Sequence, residues 1–119
     1  MTLIIHPDAP AGTAKQYARV GNQFWSVSRL IKLTEGFEVM EIPIAHLMLE
    51  HKIDLISLRE FARRVIQVNE ADLSYPIILD EDGVIMDGRH RLTKAIIEKR
   101  ETIKAVRFQD NPVPCRAES

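Results

Sequence analysis

Asp87-Gly88-Arg89-His90-Arg91 holds the densest set of chemically capable side chains in the chain. A strand is expected to end just before it and a helix to begin within it. Gly88 lets the backbone turn sharply and approach a ligand, and the first N–H groups of the following helix point outward at the positive end of its dipole. Arg89 and Arg91 add fork-shaped, permanently charged donors that match phosphate oxygens, while His90 can donate to a phosphate or pass a proton near neutral pH. A phosphate ester is the natural guest of such a turn. The same five residues also fit a plainer reading, with Asp87 as the N-cap of the helix and the two arginines solvated or paired with nearby acids.

Charge along the chain is distributed unevenly about this turn. Residues 70–87 carry six acids (Glu70, Asp72, Asp80, Glu81, Asp82, Asp87) and no Lys or Arg. Seven bases follow within residues 88–107 (Arg89, Arg91, Lys94, Lys99, Arg100, Lys104, Arg107), against Glu98 and Glu101. The sign changes at Gly88. The total is nearly balanced, 16 Lys plus Arg against 17 Asp plus Glu. That balance disfavours an extended nucleic-acid face, which normally needs a large basic excess, and leaves room for one compact phosphate pocket.

Several elements must position this turn. Ser26 caps a helix expected over residues 26–34, closed by Gly36, and Phe37 to Ile44 reads as a strand with Pro43 at a sheet edge. Ser57 and Glu60 form a capping-box pattern ahead of a helix. That helix carries Leu58, Phe61, Ala62, Val65 and Ile66 on its core-facing side, with Arg59, Arg63, Arg64 and Gln67 outside. Residues 77–79 and 84–86 form a hairpin about the Asp80-Glu81-Asp82-Gly83 turn, which reads as a solvated turn rather than a cation loop. A helix over residues 89–100 buries Leu92, Ala95, Ile96 and Ile97. Residues 102–108 form a strand whose mixed alternation predicts cover on both faces. Trp25 and Tyr75 could stack on a base, but core or rim positions suit them better.

With 119 residues, 45% of them apolar and 28% charged, the chain suits one folded domain. The expected layout is an extended arm over residues 1–22, a domain over 23–110 and a coil tail over 111–119. The lone Cys115 excludes an internal disulfide, and the N-terminus lacks the basic and long apolar regions of a signal peptide. No run has the apolar length of a membrane span. A cytoplasmic location is therefore expected.

From the strand near Val39, through the Ser57-capped helix, to PIILDEDGVIMDGRHRLTKAIIEKRETIKAVRF (residues 76–108), the sequence resembles the ParB/sulfiredoxin superfamily. Its members share a Pro-Ile strand, a Gly turn, a second strand and a Gly-X-X-Arg motif opening a helix. The resemblance implies an α+β fold with a small mixed sheet packed with helices. It further implies that Gly88, Arg89, His90 and Arg91 contact nucleotide phosphate, with Asp87 orienting the loop or assisting a metal. The nucleotide would be CTP, as in ParB partition proteins, or ATP or ADP, as in sulfiredoxins and free serine kinases, with Mg2+ as companion. The motif Asp-Gly-His-His-Arg of the free serine kinases comes nearest to residues 87–91.

Departures from the pattern narrow the choice. Sulfiredoxins carry a cysteine where Arg89 stands, and Cys115 lies in the tail, so sulfinate chemistry is not expected. ParB partition proteins continue into a helix-turn-helix and a dimerisation domain, for which no sequence follows Ser119. The expected function is thus a stand-alone nucleotide-binding domain. Two alternatives are a phosphotransferase acting on a small hydroxyl substrate, with Glu50 or His51 as base, and a DNA-binding or nuclease accessory module. A homodimer is an admissible state.

Overall fold

In a computed structural model the described residues are 17–47 and 56–117. Glu50 and His51 lie outside them. Among the described residues the fold is a mixed α+β arrangement of three α-helices and two sheets.

The first sheet begins within the expected arm. Strands β1 (Tyr17–Val20) and β2 (Gln23–Ser26) pair antiparallel with Val20 opposite Gln23, leaving Gly21-Asn22 as a two-residue turn. Gly21 has φ +60, the left-handed value that a primed hairpin turn requires of its first residue. Residues 17–22 therefore belong to the domain, and Ala18 is wholly buried in its core. The tail is corrected in the same way. Arg116–Ala117 form a short strand, β7, beside β2. Pro112 O accepts from the buried Trp25 indole N–H at 2.9 Å, which places Trp25 in the core rather than against a base.

Helix α1 (Val27–Leu33) starts where the sequence indicates, with the Ser26 hydroxyl accepting from the Arg29 amide. The second sheet has the order β3-β6-β4-β5, with β3 at Met40–Pro43, β4 at Ile77–Leu79, β5 at Ile85–Asp87 and β6 at Thr102–Arg107. Strands β3 and β6 are antiparallel, β6 and β4 parallel, and β4 and β5 antiparallel. Pro43 ends an edge strand, where its missing N–H costs no ladder bond. In the β4–β5 turn, Asp80 is buried and its Oδ1 accepts from the Asp82 and Val84 amides, while Gly83 takes φ +83. The Asp80 carboxylate is thus spent on its own turn.

Two cores lie on opposite faces of this sheet. Ile78, Met86, Val106 and Phe108 pack with Ala18, Trp25, Val27 and Leu30. Ile77, Leu79, Ile103 and Ala105 pack with Leu92, Ala95 and Ile44. Alternation along β4 and β6 feeds both clusters, as expected for strands covered on both sides.

Two expectations about the helices fail. Helix α3 runs only from Arg89 to Ile97, and Ile96 and Ile97 are exposed. It ends in a Schellman motif, with the Lys99 amide donating to Ile96 O, the Arg100 amide donating to Ala95 O, and Lys99 at φ +58. Helix α2 (Leu58–Glu70) is capped by Ser57 as expected, but the Glu60 carboxylate pairs with Arg63 and Arg64. Arg59 and Arg63 are exposed as expected, but the apolar side faces outward as well. Leu58 is 82% exposed, Phe61 56% and Ile66 55%, with Val65 and Ala62 also outward. Arg64 and Gln67 instead turn inward and hold buried polar atoms. The physical reason is layering: α3 already covers the sheet, so α2 packs on α3 and reaches neither core cluster.

Because Lys99 occupies the left-handed position that suits glycine, Lys99→Gly is expected to raise stability by about 1 kcal/mol. Urea unfolding followed by the fluorescence of the single tryptophan measures it.

Candidate functional site

Strand β5 delivers Asp87 on the α3 side of the sheet, and α3 starts two residues later. The link is Gly88, the N-cap of α3, at φ +111 and ψ +21. A Cβ there would lie 2.5 Å from Ile77 Cγ2 and 3.1 Å from Ile77 Cα, so β4 leaves no room for a side chain. Glycine is required twice, by dihedral and by space. The N-cap role consequently falls to a residue that has no side chain to close the helix, and no acid lies in the first turn. The first amides of α3 keep no intrahelical partner and lie at the electropositive end of its dipole.

Arg91 sits one turn into α3 and returns to the strand. Its Nη2 donates to Asp87 Oδ2 at 2.9 Å and its Nη1 to Pro76 O at 2.8 Å, with both side chains nearly inaccessible. Asp87 Oδ1 and Arg91 Nε have no hydrogen-bond partner among the described residues. Burial pushes the Asp87 carboxyl up to about 6, against the opposing pull of Arg91. Burial likewise lowers Arg91, with Asp87 supporting its charge. Both partners are shifted chiefly by desolvation, so the pair is costly to hold and costlier to break. Arg91 thereby acts as the clamp that sets the loop.

Arg89 and His90 take no part in that pair. Arg89 is half-buried and, among the described residues, makes no ion pair and has an unpartnered Nε. Burial lowers its pKa, and the Asp87 charge partly restores it. His90 is buried at 6% exposure, and desolvation, reinforced by the charges of Arg64 and Arg91, holds its pKa below the ordinary histidine value. The neutral imidazole can donate from one nitrogen and accept at the other. Arg64 reaches this neighbourhood from α2; its Nε is buried without a hydrogen bond and lies 3.6 Å from Glu60 Oε1. Sequence reasoning placed Arg64 and Gln67 outside. The i, i+4, i+7 spacing of Glu60, Arg64 and Gln67 marks them as one stripe, which is the signal that could have shown a shared inward face.

Three of the five remaining bases do local work. Lys94 donates to Asn69 O and Ala71 O at the end of α2, Arg100 pairs with Glu98, and Arg107 donates to Glu81 O. An open cleft of about 600 Å3 lies between the α2–β4 linker and the outer side of α3. It shares no residue with the 87–91 turn, and its Glu70, Asp72 and Glu98 offset Lys94, Arg100 and Lys104. Its mixed charge gives no net pull on a phosphate. Cys115 lies against α1, where the Ser26 amide and Arg29 hold its pKa down, and is not part of the turn. Among the described residues no group of three or more His, Cys, Asp or Glu could hold a metal ion, and no helix is long and apolar enough to cross a membrane.

Gly88→Ala is expected to cost about 2–5 kcal/mol, combining left-handed strain with overpacking against Ile77, as read by chemical denaturation. Sulfate keeps its charge between pH 7.5 and 5.5, whereas Asp87 loses its charge near 6 and a bound anion favours protonated His90. Sulfate is therefore expected to bind several-fold more tightly at pH 5.5, measured by thermal shift or calorimetry; a flat profile would place the anion away from these groups. No family model, curated protein or solved structure matches the chain.

Proposed function

We propose that the protein is a nucleotide-binding domain of the ParB/sulfiredoxin type, holding the phosphates of CTP, ATP or ADP at the amides that open α3. The observation that carries this reading is the Gly88 junction, where a side chain is excluded, the helix N-terminus has no side-chain cap, and Arg89 and His90 flank it. In this reading the backbone amides and Arg89 take the phosphate oxygens. His90 donates a further hydrogen bond, and the Asp87–Arg91 pair fixes the turn without touching the ligand. Magnesium enters as companion of the phosphates, since Asp87 already faces Arg91. The dispersed tasks of Lys94, Arg100 and Arg107 support a compact pocket over a nucleic-acid face.

Calorimetric titration with CTP, ATP, GTP and ADP, with and without magnesium, tests the proposal. Binding of at least one nucleotide is expected, weakened at least about tenfold by Arg89→Ala through the loss of a charge-assisted contact. That substitution should leave the melting temperature unchanged, whereas Arg91→Ala should destabilise the fold by about 3–5 kcal/mol by stranding Asp87. Absence of heat with every nucleotide would refute the reading.

A further inference from the structure

Helix α2 turns a polar side to α3, and that side brings a further guanidinium toward the start of α3. Lys94 donates to the carbonyls of Asn69 and Ala71, so the end of α2 lies against the middle of α3. His90 shares the Lys94 face of α3, four residues earlier. Arg64 lies further up α2, half-buried, and its charge acts on His90. Neither residue is satisfied within the fold. His90 is nine-tenths buried, and its imidazole makes no hydrogen bond among the described residues. Arg64 Nε is buried and likewise unbonded, because Glu60 Oε1 at 3.6 Å is beyond hydrogen-bond reach and the Glu60 carboxylate already accepts from Arg63.

We infer that Arg64 is a phosphate-binding residue, reaching from α2 to the same anion that the α3 amides, Arg89 and His90 hold. Arg64, Arg89 and Arg91 gather about one buried imidazole, and among the described residues the carboxylate hydrogen-bonded to this group is Asp87, held by Arg91. Like charges placed together over a buried ring cost free energy, and a bound anion turns each repulsion into an attraction. The inference rests on the anion reading of the turn and specifies its guest. Three guanidiniums against Asp87 and a Glu60 shared with Arg63 leave an excess of positive charge. A doubly charged terminal phosphate matches that excess, and its three free oxygens accept from donors on two helices at once. The singly charged diester of a nucleic-acid strand has neither the charge nor the third oxygen.

Nuclear magnetic resonance titration of the full chain with inorganic phosphate, and separately with CTP, ATP, GTP and ADP, tests it. The expected result is a saturable shift of the Arg64 Nε–H signal, assigned by its loss in Arg64→Lys, alongside shifts of the first α3 amides. Arg64→Gln should weaken phosphate and nucleotide binding about tenfold, the effect of one lost charge-assisted contact. It should also raise the His90 pKa, leaving Arg91 as the remaining charge that opposes protonation. Arg59→Gln, which removes an exposed arginine from the same helix, should change neither quantity. Dimethyl phosphate should bind at least about tenfold more weakly than inorganic phosphate, for want of the second charge. Should Arg64→Gln fail to fold, the Nε–H signal of the unaltered chain decides. Unchanged affinity in Arg64→Gln, or an Arg64 signal that stays still while the α3 amides shift, would overturn the inference and leave the nucleotide reading standing. Dimethyl phosphate binding as tightly as phosphate would overturn it as well. Binding of phosphate but of no nucleotide, with the Arg64 effects intact, would remove the nucleotide reading and support this one. No binding of any probe would remove both.

Discussion

The buried pair between Asp87 and Arg91 is the interaction on which the rest of the arrangement depends. It joins the last residue of β5 to the first turn of α3, and through Pro76 O it reaches the start of β4. Three segments are thereby fixed around one glycine. A buried ion pair gives little net stability, because two charges must be desolvated, but losing either partner strands the other at several kcal/mol. Its value here is positional. It brackets Gly88, which lies in the left-handed conformation against Ile77.

That junction can be rigid because the sheet beneath it is packed on both faces. Strands β4 and β6 send alternate side chains to two separate clusters, one under α3 and one under the β1–β2 hairpin and α1. A shift of α3 would disturb Ile77, Leu79 and Ala105 together. Helix α2 is the exception. It lies outside α3, anchored by Lys94 at its last carbonyls and by contacts of its polar side. The protein thus separates a tightly held strand–helix turn from an outer helix with an unburied apolar face.

Local chemistry in the sequence reveals much of this. Ser26 and Ser57 mark helix starts, Asp80 and Gly83 mark the hairpin, and the mixed alternation at residues 102–107 signals cover on both faces. The Gly21-Asn22 turn was also legible, but the Pro and Gly residues before it suggest an arm instead. What remains hidden is tertiary. The spacing of Leu58, Phe61 and Val65 shows that α2 has an apolar face, yet only the layer order decides whether that face points inward. The division of labour at residues 87–91 is hidden for the same reason. Arg89 and Arg91 look equivalent in sequence, and helical geometry brings only Arg91 back over Asp87.

The central proposal is that the first amides of α3 hold phosphate. Backbone amide chemical shifts, followed by nuclear magnetic resonance during titration with magnesium-nucleotide, test it residue by residue. The account predicts saturable shifts centred on Gly88, Arg89, His90 and Arg91. Shifts absent from these four amides, or confined to the Asp72, Lys94 and Lys104 cleft, would contradict it.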